Sequence, residues 1–133
     1  MRRNAREKDL EATRRACQRY KNFPVTVANF VEGTRFTGAK RDAQQSSYRH
    51  LLRPRAGGIG FVLASMGNVL DAVYDVTIRY PREEVTMWQF ITGRLERIVV
   101  RARRVERPVS PNEVRRWIDG LWREKDALLD AFA

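Results

Sequence analysis

The spacing of apolar positions changes several times along the chain, and each change marks an element. Residues 5–21 carry Leu10, Thr13, Cys17 and Tyr20 three and four apart, which predicts a helix with one apolar stripe. Asn22 and Pro24 close it. Val25-Thr26-Val27-Ala28 is β-branched and almost continuously apolar. That predicts a strand over 25–31 buried on both faces, of the kind found inside a parallel sheet.

Residues 38–56 are polar and basic, with Lys40, Arg41, Arg49, His50, Arg53 and Arg55 around Gln44-Gln45-Ser46-Ser47. A loop of that length is a binding wall or a solvated connection. After Gly57-Gly58, residues Ile59, Val62, Leu63, Met66, Val69 and Leu70 return to helical spacing and predict a buried amphipathic helix. Free backbone N–H groups at its glycine-rich start are able to hold an anion.

Alternation follows. Tyr74, Val76, Ile78 and Tyr80 against Asp75, Thr77 and Arg79 predict a strand ended by Pro81. Val85 to Thr92 reads as a short helix stopped at Gly93, its Met87, Trp88, Phe90 and Ile91 expected in the core. A further strand, Arg97 to Val105, puts Ile98, Val100 and Ala102 on one face and Arg101 and Arg103 on the other. Ser110-Pro111-Asn112-Glu113 is a capping box with proline at the first helical position. From it Val114, Trp117, Ile118, Leu121, Trp122, Leu128, Leu129 and Phe132 trace one stripe, a packing face first and a dimer or membrane contact if its sheet is incomplete. The order is α-β-loop-α-β-α-β-α, an α/β layer fold with a mostly parallel or mixed sheet flanked by helices.

Composition narrows the chemistry. One cysteine, Cys17, excludes an internal disulfide and suits a reducing compartment; with the lone His50 it makes no zinc site, so no metal or cofactor is expected. No apolar run reaches the roughly 20 residues of a membrane span, and Met1-Arg2-Arg3 leads into no signal sequence. Four lysines against twenty-two arginines give a net charge of +10. Such a surface attracts phosphates, whether of nucleic acid or of lipid headgroups.

The expected strand runs into Glu32-Gly33-Thr34-Arg35. Ligands of open α/β sheets bind beyond the carboxyl ends of strands, and Gly33 permits a sharp turn there. Arg35 offers a planar fork for a phosphate, with Glu32 to orient it. A turn glycine beside one surface ion pair is the plainer reading of the same spacing.

Phe30-Val31-Glu32-Gly33-Thr34-Arg35 resembles the third conserved block of the glycerolipid acyltransferases, the 1-acylglycerol-3-phosphate acyltransferase (PlsC-type) family. Phe36-Thr37, Leu51-Leu52-Arg53-Pro54-Arg55-Ala56-Gly57-Gly58 and Tyr74-Asp75-Val76-Thr77-Ile78 are similar to a long-chain, membrane-bound branch of it. Met1-Arg2-Arg3 resembles the tail of the second block, with Arg3 at its arginine. The resemblance implies that residues 1–133 are a single, incomplete acyltransferase domain, the C-terminal half of a partial PlsC-type fold. It implies acyl transfer from an acyl-CoA or acyl carrier protein thioester to lysophosphatidate or a related lysophospholipid, at the cytoplasmic face of a membrane. Glu32, Gly33, Thr34 and Arg35 would bind the substrate phosphate, with Arg3, Arg53 and Arg55 as additional contacts. The family's catalytic His-X-X-X-X-Asp block is not matched, because Arg55 stands five residues after His50. No catalytic residue is therefore assigned, and a truncated form is expected. The fourth block often carries a proline in its strand; none precedes Pro81 here, so its acceptor contacts are not carried over.

Two other classes stay open. Gly57-Gly58-Ile59-Gly60 before an apolar helix matches the Gly-X-X-Gly of KH domains, which with the charge describes a nucleic-acid-binding module. The third is a non-catalytic protein that binds lipid phosphates. Under the acyltransferase reading no nucleic acid is expected, and the oligomeric state is unassigned.

Overall fold

A capping box starts the longest helix, against which one other helix and one strand are packed. A computed structural model of the chain describes residues 11–12, 15, 23–81 and 85–132. Its elements are α1 (Gly38–Ala43), α2 (Ala56–Met66) with a 3₁₀ turn at Gly67–Val69, β1 (Val73–Arg79), α3 (Met87–Ile91), β2 (Val99–Val105) and α4 (Val114–Ala131). Ser110 accepts from the Asn112 amide and Glu113 returns a bond to the Ser110 amide, so the Pro111–Glu113 3₁₀ turn leads into α4. Val114, Ile118 and Trp122 of α4 then bury one stripe together with Leu51. Val31, Tyr48, Ala56, Ile59, Leu63, Trp117 and Leu129 pack around them. On α2, Val62 and Met66 are buried, as the spacing predicts.

The sheet departs from expectation. Its two described strands pair antiparallel, with Asp75 opposite Arg103 and Thr77 opposite Arg101. The run 25–31 enters no strand, and Val25, Val27 and Phe30 are exposed. A β-branched run becomes a strand only where a neighbour takes its backbone N–H and C=O groups in succession, and here, beyond the Phe30–Gly33 turn, only the Val31 carbonyl meets a backbone partner among the described residues, the Arg55 amide. The buried parallel strand is thus corrected to an exposed connecting segment.

A second correction concerns β1. Alternation is present, but the face packed toward α4 is the polar one: Asp75 and Thr77 lie inward while Tyr74, Val76 and Ile78 face solvent. The reason is Lys125, which occupies a buried position on the α4 stripe and pairs with Asp75. Its Nζ also donates to the Val76 carbonyl (2.8 Å) and sits 5.0 Å from the centre of the Trp122 ring.

Two smaller expectations change. Helix α3 forms with its own capping box, but Met87, Trp88, Phe90 and Ile91 are exposed rather than in the core. Gly57-Gly58-Ile59-Gly60 lies inside α2, so the loop between helices that a KH Gly-X-X-Gly requires is not formed. The long polar loop is shortened by α1, which Thr37 caps. The helix expected over 5–21, with Cys17 and Tyr20, falls largely outside the described residues; Glu11, Ala12 and Arg15 are helical, and Arg15 pairs with Glu11.

Candidate phosphate-binding site

Four residues make the turn. The Gly33 amide donates to the Phe30 carbonyl (2.8 Å), and Gly33 has φ +69°, the left-handed region in which glycine is unstrained. Val31 anchors the turn by packing on the core cluster. Its carbonyl accepts from the Arg55 amide (2.8 Å), and Glu32 Oε1 accepts from the Leu52 amide (3.3 Å). Segment 51–55, twenty or more residues on, is therefore laid along the turn. Trp122 Nε1 fixes the same segment from the other side through the Leu52 carbonyl (3.0 Å).

Two cations close on the turn that carries Arg35. Lys40 Nζ donates to Thr34 Oγ1 (2.9 Å) and to the Arg35 carbonyl (3.1 Å). The Arg55 side chain lies over Gly33, where a Cβ would meet its Cδ and Nη1 at 3.5 Å. Arg35 is exposed, and its guanidinium takes part in no ion pair among the described residues. The start of α2 is close as well, since a Cβ on Gly58 would approach the Asn29 side-chain nitrogen to 3.2 Å.

Glu32 is used differently from expectation. It bonds the Leu52 amide instead of orienting Arg35, and burial pushes its carboxyl up from the ordinary 4.5 against the pull of that amide and of Lys125. Lys40 and Arg55 thus meet the turn at Thr34, Arg35 and Gly33, while the charge acting on the Glu32 carboxyl is that of Lys125. The arrangement favours a dianionic phosphate, which accepts several charge-assisted bonds at once. It is an open surface site, not the crevice expected beyond a buried strand, because that strand is not formed.

Of the residues named from sequence, Glu32, Gly33, Thr34, Arg35 and Arg55 are brought together. Arg53 is not: it turns away, its Nη2 donating to the Gln45 carbonyl (2.8 Å). Arg3 lies outside the described residues. Lys40 was missed as a site residue. The available signal was its place in the first turn of a helix capped by Thr37, directly after the motif.

His50 also has a partner that sequence spacing does not reveal. Its Nε2 is 2.8 Å from Asp130 Oδ1, and the Arg49 and His50 amides both donate to Asp126. The bond from His50, with Arg49 beside it, holds the Asp130 carboxyl below the usual range. This dyad ties the loop to the end of α4. Among the described residues no group of three His, Cys, Asp or Glu is arranged to hold a metal, and no helix is long and apolar enough to cross a membrane.

Comparison with known proteins agrees with the motif. The chain is 32% identical over 92% of its length to 1-acyl-sn-glycerol-3-phosphate acyltransferase 2 of Brassica oleracea. It is 29% identical over 94% of its length to acyltransferase 3 of that name from Arabidopsis thaliana. With the delta form of Homo sapiens the identity is 27% over 95% of the chain. The chain spans 35%, 37% and 37% of those three proteins, little more than a third of their length. No family model matches it. No solved structure matches it either.

Proposed function

These relatives place the chain with the PlsC-type glycerolipid acyltransferases, and from that premise we propose that its 32–35 turn grips the phosphate of a lysophosphatidate-type acceptor during acyl transfer. The observation that carries this reading is that Lys40 and Arg55 close on the glycine turn beside the exposed Arg35. Arg35 supplies a fork that two phosphate oxygens share, Arg55 a second guanidinium, and Lys40 holds the turn by its hydroxyl and carbonyl. Binding the phosphate fixes the position of the lipid's free hydroxyl relative to the acyl donor, which lowers the entropic part of the barrier.

In the reaction the hydroxyl oxygen attacks the thioester carbonyl of an acyl-CoA or acyl carrier protein. The C–S bond breaks, and the thiol leaves with the proton. The His-X-X-X-X-Asp block that accepts this proton in the family's scheme is not among these 133 residues. What these residues contribute is the phosphate grip. The acceptor is an amphiphile delivered from a lipid surface. The exposed Met87, Trp88, Phe90 and Ile91 of α3 support docking at such a surface.

Titration of the chain with lysophosphatidate tests this. Arg35→Ala should weaken binding by about 1.5–3 kcal/mol, the scale of hydrogen bonds to a charged group. Arg35→Lys should also lose affinity, since an ammonium does not reproduce the fork. Arg97→Ala, at an exposed position outside the turn, should have a small effect that added salt abolishes. Equal losses at Arg35 and Arg97 would mean diffuse surface charge, and the site reading would fail.

A further inference from the structure

Arg53 points into a second groove. It is lined by Ser47, Tyr48, Pro54, Ala56 and Ile118 together with Arg115, Asp119 and Arg123 of α4, and encloses about 490 Å³. That size suits a phosphorylated small molecule or headgroup. We propose that this groove is a second anion site, separate from the turn at Gly33, taking a phosphate-bearing ligand with a partly apolar body. On the acyl-transfer reading, which this inference rests on for its biological sense, the two sites hold two different substrates at once.

The groove is rich in positive charge. Arg53, Arg115 and Arg123 face one groove, and none takes part in an ion pair among the described residues. Two of them are aimed by backbone carbonyls: Arg53 Nη2 by Gln45 (2.8 Å) and Arg123 Nε by Asp119 (3.3 Å). A carbonyl fixes the direction of a guanidinium without cancelling its charge. Asp119 supplies the one carboxylate of the lining, so three cations meet one anion there. Like charges gathered in one groove repel, and a bound dianion removes that repulsion.

Chemistry beyond charge is present too. Burial and the Asp119 carboxylate push the Tyr48 phenol up, with Arg123 opposing, so it remains a hydroxyl able to donate. Pro54, Ala56 and Ile118 give an apolar floor beside the cations. The two sites share one wall. Arg55 lies on Gly33, while Arg53, two residues earlier, enters the groove. A ligand at each would lie against the same short segment, 51–56.

The phosphate has two sources: a soluble nucleotide carrier, or a lipid headgroup at a membrane surface. Calorimetric titration of the whole chain with free coenzyme A probes the first. Cosedimentation with phosphatidylcholine vesicles containing phosphatidate probes the second. Arg115→Ala/Arg123→Ala, with both changes on the solvent side of α4, should weaken one of these by about tenfold or more, equivalent to 1.4 kcal/mol. The same variant should keep its lysophosphatidate affinity, whereas Arg35→Ala should show the reverse pattern. Loss with coenzyme A identifies a nucleotide site, and loss with vesicles alone a headgroup site. The inference is overturned if the parent chain binds neither probe, or if Arg97→Ala weakens binding as much as the double variant. Failure of Arg35→Ala to affect lysophosphatidate would instead sink the turn reading and leave the groove standing.

Discussion

Removing Asp75 should cost more than removing its partner Lys125, and the difference is set by what each leaves behind. Both side chains are buried, Asp75 at 8% and Lys125 at 9% exposure, with Nζ 2.5 Å from Oδ1. In Asp75→Ala the ammonium keeps no ion pair, only the Val76 carbonyl, the face of Trp122 and the longer-range field of Glu32. An uncompensated buried charge of that kind costs about 3–5 kcal/mol. In Lys125→Met the carboxylate keeps Arg103, whose Nε is 3.4 Å from Oδ2 and which Glu124 holds in place (2.6 Å), and methionine replaces most of the lysine stem. The loss is then nearer a charged hydrogen bond, about 1.5–3 kcal/mol. The double variant should fall short of the sum by about 1–3 kcal/mol, since the second change removes the stranded group. Urea unfolding followed by tryptophan fluorescence measures all three. Additive losses, or a costlier Lys125→Met, would refute the idea that this pair fastens the sheet to α4.

Two further outcomes follow from the turn. Gly33→Ala should lower stability by about 1–2 kcal/mol through its left-handed backbone, because its Cβ would meet Arg55 only at ordinary distance; Gly38→Ala, with open space around it, should not, and equal urea midpoints for the two would disprove the assignment of strain. For Glu32 the folded carboxyl titrates above the unfolded value of 4.5, so the unfolded chain ionises first and stability falls as pH rises through that window. Glu32→Gln keeps an oxygen for the Leu52 amide and removes the titration. Its stability relative to the parent should therefore climb from acid pH and level off once folded Glu32 is ionised; a gap that shrinks as pH rises contradicts the burial argument.

The cap that leads into α4 was legible, because Ser110 to Glu113 encode a local capping geometry that needs no partner, although a 3₁₀ turn at Pro111–Glu113 delays the α-helix itself to Val114. Helix α2 and both strands were legible from spacing, again a local property. The inward face of β1 was not. Alternation states that two faces differ, and the usual inference puts the apolar one inside. Here Lys125 on α4 decides otherwise, and that pairing spans fifty residues. The strand at 25–31 failed for the same kind of reason, since pairing is a property of the neighbour as much as of the run. At the site, the motif gave Glu32 to Arg35. Lys40 and the diversion of Arg53 depended on how α1 and segment 51–55 fold back, which no short pattern carries.

The double fastening of segment 51–55 has a consequence in time. Leu52 is fully buried, its carbonyl held by Trp122 and its amide by Glu32, and the Arg55 amide closes on Val31. The turn therefore cannot loosen without disturbing the core helix, and the amides of Leu52 and Arg55 should exchange with solvent at a pace set by core opening rather than by loop motion. If the proposed grip operates, a phosphate arriving at Gly33 would meet backbone already in place, and little ordering would be left to be done at the moment of binding.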